Sequence, residues 1–281
     1  MNALRKIRWP YAAIAVTAVA VASVGLIRPE LAAVVTGSPG ATAVIGQNPP
    51  PTLFADATIT PLGRQVTAQR TQADALFTRW TAQHGTTRDD KAFATWAAGQ
   101  IPAPPSATAR TAELHKVQDL AKTRTAAGKK AATWLELYGK KDIWKLYQHD
   151  QRELVPAAKG ADEKARLKSA LSLAKTISDQ LAARDKQPAP FVLDPSLRPD
   201  KHITPGAKGP YSYPSRHAAR SAAAVTLLSA FAPHRAQDYR WMQNEVVYSR
   251  VYMAGHVPSD ILAGTLLGDL IGDYELAAKS N

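Results

Sequence analysis

Residues 249–260 read SRVYMAGHVPSD. Ser249 and Arg250 close one apolar stretch, and His256 and Asp260 stand four apart where Pro258 opens the next. Proline belongs in the first turn of a helix, where its missing N–H is not needed. Asp260 then falls near that helix's N-terminus, among N–H groups without intrahelical partners. The spacing therefore predicts a helix ending near 250, a short turn, and a new helix at 258.

Working outward from this turn, every neighbouring stretch reads as helix. QDYRWMQNEVVYSRVYM (237–253) and PSDILAGTLLGDLIGDYELAA (258–278) flank it, and HAARSAAAVTLLSAFAP (217–233) predicts a helix buried on most sides. ADEKARLKSALSLAKTISDQLAARDK (161–186) is rich in strong helix formers and is ended by Pro188 and Pro190. An irregular basic loop, 191–214, follows it. Upstream, 65–85, 89–100 and 111–128 place apolar residues at helical spacings, with Thr111 as a predicted N-cap and Gly128 as a predicted stop. No alternating strand pattern occurs, so the predicted class is all-α.

KKAATWLELYGKKDIWKLYQHD (129–150) interleaves basic and aromatic residues. With no nucleic-acid-binding signature beside it, it reads as an amphipathic helix pair with Trp134, Leu137, Ile143 and Leu146 inside and lysines outside. No nucleic-acid partner is expected.

The chain has 281 residues and no cysteine, which excludes disulfides and thiolate metal sites. Its formal charge of +12 suits an anionic partner: a phosphate ester, nucleic acid or an acidic membrane surface. At the N-terminus, Arg5, Lys6 and Arg8 precede an uncharged apolar run, 10–27. Residues 1–30 thus read as a secretory signal or an uncleaved membrane anchor, with ATA at 41–43 offering a small-residue cleavage site. Export of the remainder is expected, to the periplasm or another extracytoplasmic compartment. Six prolines between 28 and 61 predict a linker with little helix, and 62–281 form the helical domain.

Two histidines, an aspartate and arginines form no metal shell, because arginine repels a cation. They suit a tetrahedral oxyanion: arginine forks bind phosphate oxygens in pairs, and helix N-termini add N–H donors. One histidine can attack phosphorus while an aspartate fixes its tautomer, and the other can protonate the leaving oxygen.

Pro214-Ser215-Arg216-His217, together with Ser249-Arg250, His256 and Asp260, resembles the second and third motifs of the phosphatidic acid phosphatase type 2 (PAP2) and vanadium haloperoxidase superfamily. Over roughly 110–275 the text is most similar to the soluble, exported class A non-specific acid phosphatases. The resemblance implies a compact multi-helix bundle and a metal-independent phosphomonoesterase. His256 would be the nucleophile, Asp260 its orienting partner and His217 the general acid. Arg250 would bind phosphate oxygens with the Ser215 hydroxyl and the Arg216 N–H, and Ser249 is the partner of Arg250 in its motif.

Two departures stand out. The family has glycine where this chain has Arg216, which either adds a phosphate fork or crowds the pocket. The first motif, Lys, six residues, Arg-Pro, is degraded: Arg198-Pro199 leaves Phe191 in the lysine position. The alignment that keeps the Asp-Pro-Ser register puts Ala182 and Ala189 in place of lysine and arginine. Lys186, Arg198, Lys201 or Lys208 would then supply the charge. Two alternatives follow: a haloperoxidase-like protein holding vanadate as its only cofactor, or a non-catalytic phosphate-binding relative.

Overall fold

The computed structural model describes residues 40–198 and 210–279. Among them there are no strands, only two isolated bridges, and the protein is an all-α bundle. The helices are α1 (Ala41–Gln47), α2 (Asp56–His84), α3 (Asp90–Gln100), α4 (Ala107–Lys122), α5 (Ala126–Tyr138), α6 (Asp142–Arg152), α7 (Ala157–Asp185), α8 (Pro190–Leu193), α9 (Arg216–Phe231), α10 (Ala236–Tyr252) and α11 (Pro258–Ala277).

At the centre is α11. It lacks a polar face, so its favourable environment is one covered all round. Helices α9, α2, α7 and α3 pack around it, and the contact with α9 is the most extensive in the bundle. The reason lies in small residues. A Cβ on Gly264 would fall 2.3 Å from the carbonyl oxygen of Ser215, and one on Gly268 would fall 2.2 Å from that of Ala219. Facing them, Ala218, Ala219 and Ala222 are all fully buried. Glycine opposite alanine brings two backbones close enough to lock the N-termini of both helices side by side. The Ser215 N–H donates to the Asp260 carbonyl at 2.8 Å and fixes that register.

The turn between α10 and α11 is equally tight. Ala254 lies in the left-handed region, with φ 54°. The N–H groups of Gly255 and His256 both donate to the Arg250 carbonyl, at 3.0 and 3.3 Å. Five residues after Arg250 the chain has thus folded back, and His256 is delivered next to it.

Several expectations are corrected. The proline-rich segment carries helix α1, whose Ile45 is buried, and α2 begins at Asp56 with Pro61 inside its second turn. At that position the proline removes one helical hydrogen bond, to the Ala57 carbonyl, and α2 nevertheless continues through it to His84. Ser106, directly after the proline run, caps α4 in place of Thr111, accepting from Ala109 N–H at 3.3 Å. Gly128 is no stop but lies in the first turn of α5, where Thr125 caps its N–H. A Cβ on it would strike the Tyr252 hydroxyl. In the basic, aromatic pair α5–α6, Trp134, Ile143 and Leu146 are buried and Lys129, Lys130, Lys141 and Lys145 are exposed, as expected. Leu137 is exposed, because its neighbour Glu136 takes the inward direction. The apolar run 10–27, Lys201 and Lys208 lie outside the described residues. Among the described residues no helix is long and apolar enough to cross a membrane.

Candidate active site

Three helix ends meet at one place: the N-termini of α9 and α11 and the C-terminus of α10. Ser215 caps α9, its hydroxyl accepting from Ala218 N–H at 3.4 Å, which seats His217 in the first turn. Asp260 is the third residue of α11, and its Oδ2 accepts from the Val257 N–H at 3.1 Å. The same oxygen lies 3.6 Å from His256 Nδ1. Ring and carboxylate therefore face one another across slightly more than hydrogen-bond distance.

Asp260 is fully buried, and burial alone would raise its pKa. Its interactions with His256 and Arg110 outweigh that and hold the carboxyl below the usual range. Arg110, on α4, donates to Asp260 Oδ1 at 2.7 Å and reaches the Pro188 carbonyl and the Ser212 hydroxyl at 3.4 Å. One carboxylate oxygen is thus committed to Arg110, and the other faces His256.

Arg250 is buried. Burial pushes its guanidinium down to about 9, and it is protonated at neutral pH. Its Nε donates to Ser249 Oγ at 3.3 Å, while Ser249 Oγ donates to the Val246 carbonyl at 2.6 Å, so Ser249 orients the guanidinium. Arg250 Nη1 pairs with Glu136 Oε2, and Nη2 has no hydrogen-bond partner among the described residues. The same Glu136 oxygen lies 3.7 Å from His217 Nε2. Lys140 holds the other oxygen at 2.8 Å. His217 is driven well below 6.5, first by burial and then by the nearby charges of Lys140, His256, Arg216 and Arg220. His217 and His256 are therefore electrostatic neighbours.

The remaining sequence candidates take other places. Arg216 turns its guanidinium to Asp179 on α7 at 3.1 Å, and Lys175 holds the second Asp179 oxygen at 2.7 Å. Lys186, in a left-handed conformation, caps the C-terminus of α7, and Arg198 follows a short 3-10 turn; both are exposed, outside the buried cluster. Sequence reading missed Arg110, Glu136, Lys140 and Arg220. They sit on helices α4, α5 and α9 or beside them, at spacings that carry no motif. The only available hint was the second Gly-Lys-Lys triplet, whose first lysine turns inward.

A family model described as PAP2 superfamily matches residues 169–274, from the middle of α7 to the end of α11. This match spans His217, Arg250, His256 and Asp260, and over that stretch the chain is similar to the superfamily. At a coarse level it points to phosphatase or haloperoxidase-like activity. Among curated proteins no match was found.

Proposed function

We propose that the protein is an exported acid phosphatase, hydrolysing phosphate monoesters through a phosphohistidine at His256 without a metal. One observation carries this reading: Arg250 and His217, from different helices, converge on a single anionic group, the Glu136 carboxylate, while His256 sits beside Asp260. A carboxylate is the nearest protein mimic of two phosphoryl oxygens.

In the proposed reaction Arg250 binds phosphoryl oxygens through the pair of N–H groups on its fork. His256 Nε2 attacks phosphorus, and its Nδ1–H donates to Asp260, whose charge stabilises the ring as it becomes cationic. The P–O bond to the leaving group breaks, and that oxygen takes a proton from His217. Water then gives a proton to His217 and attacks the phosphohistidine, releasing phosphate and the neutral ring.

His217 must be protonated to act as an acid. Its pKa in the free protein is depressed, so the protonated fraction grows as pH falls. The kcat/KM on an alkyl phosphate should accordingly rise toward acid pH, since that parameter reports the free enzyme. Export rests on the basic and then apolar order of residues 5–27.

The test is hydrolysis of an aryl phosphate from pH 4 to 8 with chelator present. His256→Ala should abolish turnover. His217→Ala should cost less on nitrophenyl phosphate than on an alkyl phosphate, because an aryl oxide leaves without a full proton. Tight phosphate binding without turnover would replace this reading with a non-catalytic binder. Bromide peroxidation in added vanadate would replace it with a haloperoxidase.

A further inference from the structure

The site holds a negative charge of its own where a phosphate would bind. Glu136 lies in the last turn of α5, and its side chain is 14% exposed. Its Oε2 occupies Arg250 Nη1 and faces His217, while its Oε1 is held by Lys140, four residues on, at 2.8 Å. Arg250 Nη2 is buried with no partner among the described residues, so one arm of the fork is unused. A carboxylate seated in this way satisfies one N–H of a fork built for two.

We propose, on the footing of the phosphatase reading above, that Glu136 is an internal competing anion which the substrate's phosphate must displace from Arg250. A phosphoryl group offers three terminal oxygens and more charge than a carboxylate, so it can engage both arms of the Arg250 fork. Both anions cannot share the guanidinium, because like charges at contact in a buried site repel strongly. On exchange, Glu136 swings off Arg250 and keeps Lys140, whose side chain is one-third exposed. Lys140 is then the residue that receives the displaced carboxylate. The contact lowers affinity for every anion and keeps the buried guanidinium paired while the site is empty.

A purely structural role makes the opposite forecast. If Glu136 only props Arg250 in place, its removal loosens the guanidinium and weakens anion binding.

The experiment is calorimetric titration of inorganic phosphate into the full chain, native and Glu136→Gln, with turnover of nitrophenyl phosphate followed in parallel. Glutamine keeps the shape and removes the charge. Phosphate should bind Glu136→Gln about tenfold or more tightly, the range expected for a competing charged hydrogen bond. Lys140→Met should weaken phosphate binding in the native background and have a smaller effect when Glu136 is already glutamine. Unchanged or weakened binding by Glu136→Gln overturns the proposal, as does an equal effect of Lys140→Met in both backgrounds. If Glu136→Gln fails to fold by circular dichroism, Glu136→Asp serves instead. Its shorter reach should loosen the hold on Arg250 and tighten phosphate binding by a smaller factor. Tightened binding with no turnover in any variant would sink the hydrolase reading and leave the internal anion standing. Turnover in the native protein with no change in binding would do the reverse.

Discussion

Replacing Arg110 by methionine should unmask the burial penalty that Asp260 carries. The pair is buried on both sides: the Arg110 side chain is 10% exposed and Asp260 is fully buried, with 2.7 Å between Nη1 and Oδ1. Removing one partner of such a pair costs about 3–5 kcal/mol, because the other charge is left uncompensated in the interior. His256 and the Val257 N–H remain near the second oxygen, which places the expected loss toward the lower end, about 3 kcal/mol. The loss should depend on pH in a definite direction. In the native protein Asp260 is held below its unfolded pKa, so its contribution is present above roughly pH 4 and is lost as pH falls through the folded value. In Arg110→Met, burial without the arginine raises that pKa, and protonation then relieves the penalty. The difference between the two proteins should be largest at pH 7 and shrink toward pH 4. Urea unfolding at both pH values, monitored by circular dichroism, measures it. A loss below about 1 kcal/mol at pH 7 with an unchanged m-value, or a difference that grows on acidification, would refute the account of Asp260 as a buried charge held by Arg110.

Two further outcomes concern the framework around the site. Gly268→Ala places a methyl 2.2 Å from the Ala219 carbonyl, a backbone atom that cannot move aside, so α9 and α11 must separate. The overpacking should cost about 1–3 kcal/mol and lower Tm, and an unchanged Tm would show that the helix pair is looser than described. Glu245 is fully buried. Burial pushes its carboxyl up to about 8, although the Phe54 N–H it accepts at 3.2 Å opposes the shift. A raised carboxyl costs stability as pH rises from the unfolded pKa, near 4.3, through 8. Glu245→Gln should therefore be close to neutral at pH 5 and stabilising by about 2 kcal/mol or more at pH 9. Equal unfolding midpoints for the two proteins at pH 9 would contradict this.

Much of the bundle was legible because its signals are local. Prolines, N-caps and apolar spacing placed α7, α9, α10 and α11 within a few residues of their observed ends. The same locality misled where two signals competed. Ser106 outbid Thr111 as a cap because it directly follows the prolines that exclude an earlier start. Pro61 suggested a linker, yet α2 starts before it and runs on through it, lacking only the one hydrogen bond that the proline nitrogen cannot donate.

The sequence by itself singled out His217, Arg250, His256 and Asp260 as a candidate set, because Arg250, His256 and Asp260 are joined through one turn and His217 opens a neighbouring helix. Periodicity also determined that the fold is all-α. The tertiary structure alone decided what surrounds that set. Arg110 reaches Asp260 across 150 residues, and Glu136 reaches Arg250 from helix α5, which packs against α10. Likewise, Arg216 spends its charge on Asp179 rather than beside Arg250. Spacing along a chain specifies which residues share a helix face. It carries no information about which faces meet, and here that was set by glycines on α11 that let α9 approach to backbone contact.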